Sequence, residues 1–284
     1  MAEHFGSPLT NAIARQYDLF QQSLEAIAKD RKFLNYGYTV ARGEPFEMRQ
    51  QRLCLEVFEA ADIQRDHVVV DVGFGSGEQD FVLARTFEFA RLLGFNISDR
   101  QVGYATARAA REGLAHKLTF SLGEAEALPG VAAASVDRIV AVECAFYFDR
   151  PSFYRRAAEV LKPGGLLTLA DIQLSDRLAC LTRREDLRRV GTASANRREW
   201  ERFFRARAIR HINRQTRPGV QLSVWQILKT VPFARFNRAQ RREWLKLAYY
   251  SQLLALGLSL ELVTYDLLVL EKAVAPSTSF APRA

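Results

Sequence analysis

The stretch Val68–Asp80, VVVDVGFGSGEQD, constrains the fold of this chain more than any other. A run of β-branched residues ends in glycines at alternate positions, Gly73, Gly75 and Gly77, and a helix is predicted to open near Glu78–Asp80. A strand that is apolar at successive positions is buried on both faces, which suits a parallel sheet covered by helices. Glycines let the chain turn sharply and approach a ligand with no Cβ in the way. A tight turn alone would explain one glycine pattern. Its place after the first strand of a longer series makes a ligand site the better expectation.

That series follows. Predicted strands are His67–Val72, Leu92–Ile97, Leu118–Phe120, Asp137–Glu143 and Leu166–Ile172, with helices near Asp80–Arg91, Gln101–Gly113 and Phe153–Leu161. Strands alternating with helices argue for an α/β fold with a doubly wound sheet. KPGG at 162–165 reads as a helix stop before the fifth strand. Beyond Ile172, a sixth strand is predicted over Ala208–Arg214, an amphipathic helix over Arg238–Leu256 and a closing strand over Val263–Glu271. Residues 1–62 are expected to form a helical extension with a covering loop, and 63–284 the main domain. Lid insertions are expected at about 173–207 and 215–246.

The chain's 284 residues, 48% hydrophobic and 25% charged, suit one large core. The net charge of +8 is unevenly placed. Leu181–Lys246 carries eighteen Lys or Arg against five Asp or Glu, so the rest is mildly acidic. Cys54, Cys144 and Cys180 are widely spaced. That spacing gives neither a disulfide framework nor a metal cluster, so no metal is expected, and a reducing cytoplasmic compartment is the simple reading. No apolar run reaches the ~20 residues of a membrane span, and no signal-peptide core is visible, so no integral membrane contact is expected.

The glycine loop departs from the dinucleotide fingerprint GxGxxG, with Glu78 in place of the last glycine and Asn96 where an acidic ribose ligand would stand. There is no GxxxxGK[ST] loop either. Taken in order, DVGFGSG (71–77), GFNISDRQ (94–101), GEAEALP (123–129), DRIVAVECAFYF (137–148) and LKPGGLLTLADI (161–172) resemble the motifs of class I S-adenosylmethionine-dependent methyltransferases. FLNYGY (33–38), GFGSGEQDF and GFNIS are most similar to small-molecule enzymes of natural-product pathways, macrolide sugar O-methyltransferases among them, with cyclopropane fatty-acid synthases as more distant relatives. The resemblance implies a Rossmann-like, seven-stranded, mostly parallel sheet and S-adenosylmethionine as cofactor. It assigns Asp71, Gly73, Gly75 and Gly77 to the methionine part of the cofactor, and Asn96, Ile97 and Gln101 to the ribose and the ring. Glu124 and Ala125 fall at the adenine edge, Glu143 beside the methyl donor, and Tyr36 and Tyr38 on a closing loop.

Methyl transfer to oxygen is helped by a base near the attacking hydroxyl. The related enzymes place a His shortly after the fourth strand; here Tyr147 stands there. His4, His67, His116 and His211 read as structural or solvated. Asp171, at the carboxyl end of the fifth strand, is the remaining base candidate, against a plain capping role. Tyr147 would orient the acceptor, and carbon methylation is the alternative. The aromatics Trp200, Phe203, Phe204, Trp225, Phe233, Phe236, Trp244, Tyr249 and Tyr250, interleaved with arginines, are expected to form a lid over a bulky apolar small-molecule acceptor. Those arginines would suit an acidic group on it. Nucleic acid is the weaker target, since ECAFYF matches neither the Asn/Asp-Pro-Pro-aromatic nor the Pro-Cys motif of such enzymes. A non-catalytic cofactor-binding protein is the remaining alternative.

Overall fold

In the computed structural model, residues 7–27, 33–230 and 236–273 are described. His4 and Phe233 lie outside them. Seven strands form one sheet: β1 Val68–Val72, β2 Arg91–Asn96, β3 Leu118–Leu122, β4 Val136–Val142, β5 Leu161–Leu174, β6 Phe204–His211 and β7 Val263–Lys272. Their order is β3-β2-β1-β4-β5-β7-β6, and β7 runs antiparallel to both of its neighbours while the other pairs are parallel. The strand order reverses about β1, so the carboxyl ends of β1 and β4 border the crevice where ligands gather in such sheets.

Local signals set the boundaries. Helix α1 covers Pro8–Ile27 and α2 Phe46–Ala60. Helix α3, Glu78–Thr86, starts at Gly77, whose φ of +79° puts the N-cap in the left-handed region. Helix α4, Asp99–Arg111, is capped by Ser98, whose Oγ accepts from Gln101 N. Helix α5, Arg150–Val160, is capped by Asp149 and has Pro151 in its first turn. The expected stop at KPGG is real in that α5 ends at Val160, but β5 begins at once at Leu161. The pairing of β5 with β4 shifts register between Val136 and Arg138, which accommodates Pro163 and Gly164 inside the strand.

Helix α6 covers Glu185–Val190, α7 Ala193–Trp200, α8 Asn213–Thr230 and α9 Arg238–Ser259. The sixth strand lies earlier than the alternation of Ile209 and Ile212 predicts. Ile209 is exposed on β6, while Ile212 is buried just beyond it at the start of α8. Two cores flank the sheet. One joins Leu53, Val57 and Phe58 of α2 to Phe81 and Tyr265. The other joins Phe153 and Tyr154 of α5 to Trp200 and Phe204. Each such fully buried side chain contributes about 1.5–3 kcal/mol.

Candidate active site

A cleft opens at the carboxyl ends of β1, β2 and β4, with about 920 Å³ of empty space counted to its mouth. Its floor is the turn after β1. Gly73 has φ +72°, and a Cβ there would lie 2.8 Å from the Cβ of Cys144, so only glycine lets β1 and β4 meet. The Gly73 N–H donates to Phe95 O (2.8 Å) and the Gly77 N–H to Phe74 O (2.9 Å). Those two amides hold the turn, and Gly73, Phe74, Gly75 and Ser76 all line the cleft.

Gln79 Nε2 donates to Asp71 Oδ2 at 2.5 Å, and Gln79 lines the cleft. Behind it, burial pushes the Asp71 carboxyl up to about 6. Burial, then the charge of Asp71, drives the Asp80 carboxyl well above the usual range.

The wall beyond β2 is a small amide network. Asn96 Nδ2 donates to Gln101 Oε1 (2.9 Å) and Gly75 O (3.3 Å), while its Oδ1 accepts from Ser98 N (3.0 Å). The donors and acceptor of Asn96 are thus used within the protein. Gln101 Nε2 is buried without a hydrogen-bond partner among the described residues, on a side chain that lines the cleft. An orphaned buried donor is costly unless a ligand satisfies it. Ile97, Glu124 and Ala125 complete this wall.

Past β4, Glu143 sits at φ +54°, a rare conformation for a residue with a side chain. Its Oε1 accepts from Tyr36 N (2.8 Å) and from Tyr265 OH. Burial pushes its carboxyl up to about 8 against those two bonds. Cys144 Sγ donates to Val72 O (3.0 Å), and burial raises the thiol, which makes it a packed hydrophobe rather than a nucleophile. A 3-10 turn, Ala145–Tyr147, brings Tyr147 to the cleft, where its OH accepts from Tyr17 OH (3.2 Å). Burial raises both phenols.

Nine predicted residues therefore share this cleft: Gly73, Gly75, Asn96, Ile97, Gln101, Glu124, Ala125, Glu143 and Tyr147. Five are not among its lining. Asp71 is fully buried behind the turn and acts through Gln79. Gly77 serves as the N-cap of α3, where a Cβ would press on Ala105 at 3.0 Å. Tyr36 directs its OH to Ser251 (3.2 Å) and its N–H to Glu143. Tyr38 is buried on the other side, against Arg49 and a separate groove that Trp225 also lines.

Asp171 is the clearest correction. It is completely buried and gripped by Arg150, with Nη1 on Oδ2 at 2.6 Å and Nη2 on Oδ1 at 3.2 Å. A carboxylate locked in a buried bidentate pair, away from the cleft, is not placed to take a proton from a ligand. Arg150 in turn donates to Arg189 O (2.9 Å) and Val190 O (3.1 Å), so the pair supports α6.

Among the described residues, none of the aromatics expected to form a lid lines the cleft. Trp200 and Phe204 are core residues, and Phe236 and Trp244 pack with Phe20. The free walls come instead from Thr10, Ile13 and Tyr17 of α1, from Phe33–Asn35, and from Arg189. Arg189 Nη1 donates to Tyr147 O at 2.5 Å. The one sequence signal for the α1 wall is the spacing of Thr10, Ile13 and Tyr17 along one helical face.

Residues 70–169 match a family described as a methyltransferase domain. The chain is 38% identical over 157 residues to erythromycin 3''-O-methyltransferase of Saccharopolyspora erythraea, a match covering 55% of this chain and 51% of that one. It is 30% identical to 27-O-demethylrifamycin SV methyltransferase of Amycolatopsis mediterranei, over 59% of this chain and 60% of that one. The chain thus spans about half the length of the curated relatives it matches. Its fold is shared with the cyclopropane synthase MmaA2 of Mycobacterium tuberculosis, at a TM-score of 0.79 and 13% identity, over 95% of this chain and 100% of that one.

Proposed function

Since residues 70–169 match a family described as a methyltransferase domain, we propose that this chain transfers a methyl group from S-adenosylmethionine to a hydroxyl of a small, bulky, largely apolar secondary metabolite. The observation that carries the cofactor is the orphaned Gln101 Nε2, buried in a cleft whose floor is the Gly73–Gly75 turn. A ribose hydroxyl would satisfy that amide. Gly75, Ser76 and Gln79 would hold the methionine part, and Glu124 with Ala125 the adenine edge. When bound, this cofactor supplies an activated methyl group on a sulfonium, so the protein's share of catalysis is alignment and exclusion of water.

The chain's own residues provide both. Ile13, Phe33, Phe95 and Phe148 line the cleft and shield it from water. Tyr147 accepts a hydrogen bond from Tyr17, which leaves its own O–H to orient the acceptor hydroxyl. Asp171 has no part in moving the proton. Arg189, at the cleft, supports an acceptor with an acidic group, since a guanidinium offers donors beyond the one used on Tyr147 O. Cys54 and Cys144, buried and free, suit a reducing compartment such as the cytoplasm.

A second reading, methyl transfer to carbon, is favoured by the rings of Tyr17, Phe74, Tyr147 and Phe148 around the cleft, which would stabilise a developing cation.

Calorimetry with S-adenosylmethionine and S-adenosylhomocysteine tests the cofactor. Wild type should bind both, and Gly75→Arg, which projects a long side chain from the floor, should bind neither. An inert wild type or an unaffected variant would overturn the assignment. NMR of the methylated product separates oxygen from carbon.

A further inference from the structure

Helix α9 carries two apolar seams on different faces. The inner one, Trp244, Ala248, Ser251, Ala255 and Leu258, is buried. The outer one is Leu245, Tyr249, Leu253, Leu256 and Leu260, all between 47% and 62% exposed. Their spacing of four, four, three and four residues is the spacing of a helix that packs against another helix. At 100° per residue these five side chains fall within an arc of about 80°, with Tyr250, 58% exposed, about 60° to one side of it. The seam runs about 22 Å along the axis.

Charge is confined to one end. Arg238, Arg241, Arg242 and Lys246 stand in the first turns with Glu243 as the only acid, and residues 247–260 contain no charged side chain. Exposed Glu261 follows just past the other end.

We propose that this outer seam is the interface between two copies of the chain, paired antiparallel across a two-fold axis near Leu253. In that register Leu245 meets the partner's Leu260 and Tyr249 meets the partner's Leu256, while Leu253 lies beside its own counterpart. The pattern is self-complementary, as an isologous contact requires. The same register carries Arg242 over the C-terminal end of the partner helix, next to the partner's Glu261, where the helix dipole and a carboxylate both favour a cation. Parallel pairing would instead crowd the two basic ends together. The absence of charge along the apolar half gives an anionic membrane nothing to grip there.

Analytical ultracentrifugation of the full chain tests the pairing. Wild type should sediment at twice 32.2 kDa. Leu253→Lys sets like charges opposite each other at the axis, and should halve the mass while keeping the wild-type circular dichroism, with a melting temperature that no longer rises with protein concentration. Leu253→Cys in a Cys180→Ser background should form a disulfide dimer on mild oxidation, which Val40→Cys on the same background should not. A wild type that is monomeric across the micromolar range overturns the proposal. So does a dimer that survives Leu253→Lys, or a Leu253→Cys chain that fails to cross-link. A monomer that sediments with phosphatidylglycerol vesicles through Leu253 overturns it in favour of a lipid surface.

Discussion

Glu143 concentrates the tension in the site, because a buried carboxyl raised to about 8 lines the cleft proposed to receive a sulfonium cation. A positive charge nearby favours the carboxylate, so a cationic ligand must drive the proton off. S-Adenosylmethionine should therefore release more protons near pH 7.5 than S-adenosylhomocysteine, which lacks the sulfonium charge. Calorimetry in buffers of different ionisation enthalpy measures this, and Glu143→Gln should abolish the difference. At Arg189, removal of the guanidinium in Arg189→Met should raise KM for the acceptor about tenfold or more, as expected for one charge-assisted bond of about 1.5–3 kcal/mol, with cofactor affinity unchanged. At Asp171, substitution by Asn leaves Arg150 charged and unpaired in the core. A loss of about 3–5 kcal/mol in urea unfolding is expected, with cofactor binding intact at low temperature. Asp171 shows what sequence could not supply: its place at a strand's carboxyl end suggests a base, and only the approach of Arg150 from α5 reveals an ion pair.

At the scale of elements, the strands and the turn between β1 and α3 are legible because apolar runs and glycines write their geometry locally. Nine of the site positions inferred from motifs fall in one cleft for the same reason, since those motifs end the strands that border it. The walls of the cleft are not legible. Tyr17 meets Tyr147 across 130 residues, and no local pattern announces such a contact. The aromatics after residue 200 suggest a lid by composition, but a Trp on α7 and a Phe on β6 have as much to gain from the core.

One long-range joint is open to test. A Cβ on Gly219 of α8 would stand 1.8 Å from Tyr36 O, so helix and loop touch only because glycine is there. Gly219→Ala should push the 33–39 loop outward, lower the melting temperature and weaken cofactor binding together. Thermal unfolding and calorimetry on one sample would show this. A stable protein with weakened binding alone would put the fault in the loop, and normal values of both would reject the joint.

For the molecule as a whole, stability should run against the usual direction with pH. Glu143, raised to about 8, holds a proton in the folded chain that the unfolded chain gives up near pH 4, and so does the Asp71–Asp80 pair, where burial raises both carboxyls. Their contribution is fully present below the unfolded values and is lost as pH rises through about 6 and then about 8. The unliganded protein should therefore melt at a lower temperature at pH 8.5 than at pH 6. Glu143→Gln should flatten that slope, and Asp71→Asn should flatten the one between about pH 4 and 6.

The one reversed strand has a practical side. Because β7 runs against β5, it ends at Lys272, whose Nζ reaches Leu161 O where β5 begins, on the rim opposite the cleft. Helix α1, at the other end of the described chain, forms a wall of the cleft itself. A tag, a surface anchor or a fused enzyme joined after residue 273 would leave the mouth of the cleft unobstructed. The same attachment before residue 7 would sit beside the entrance.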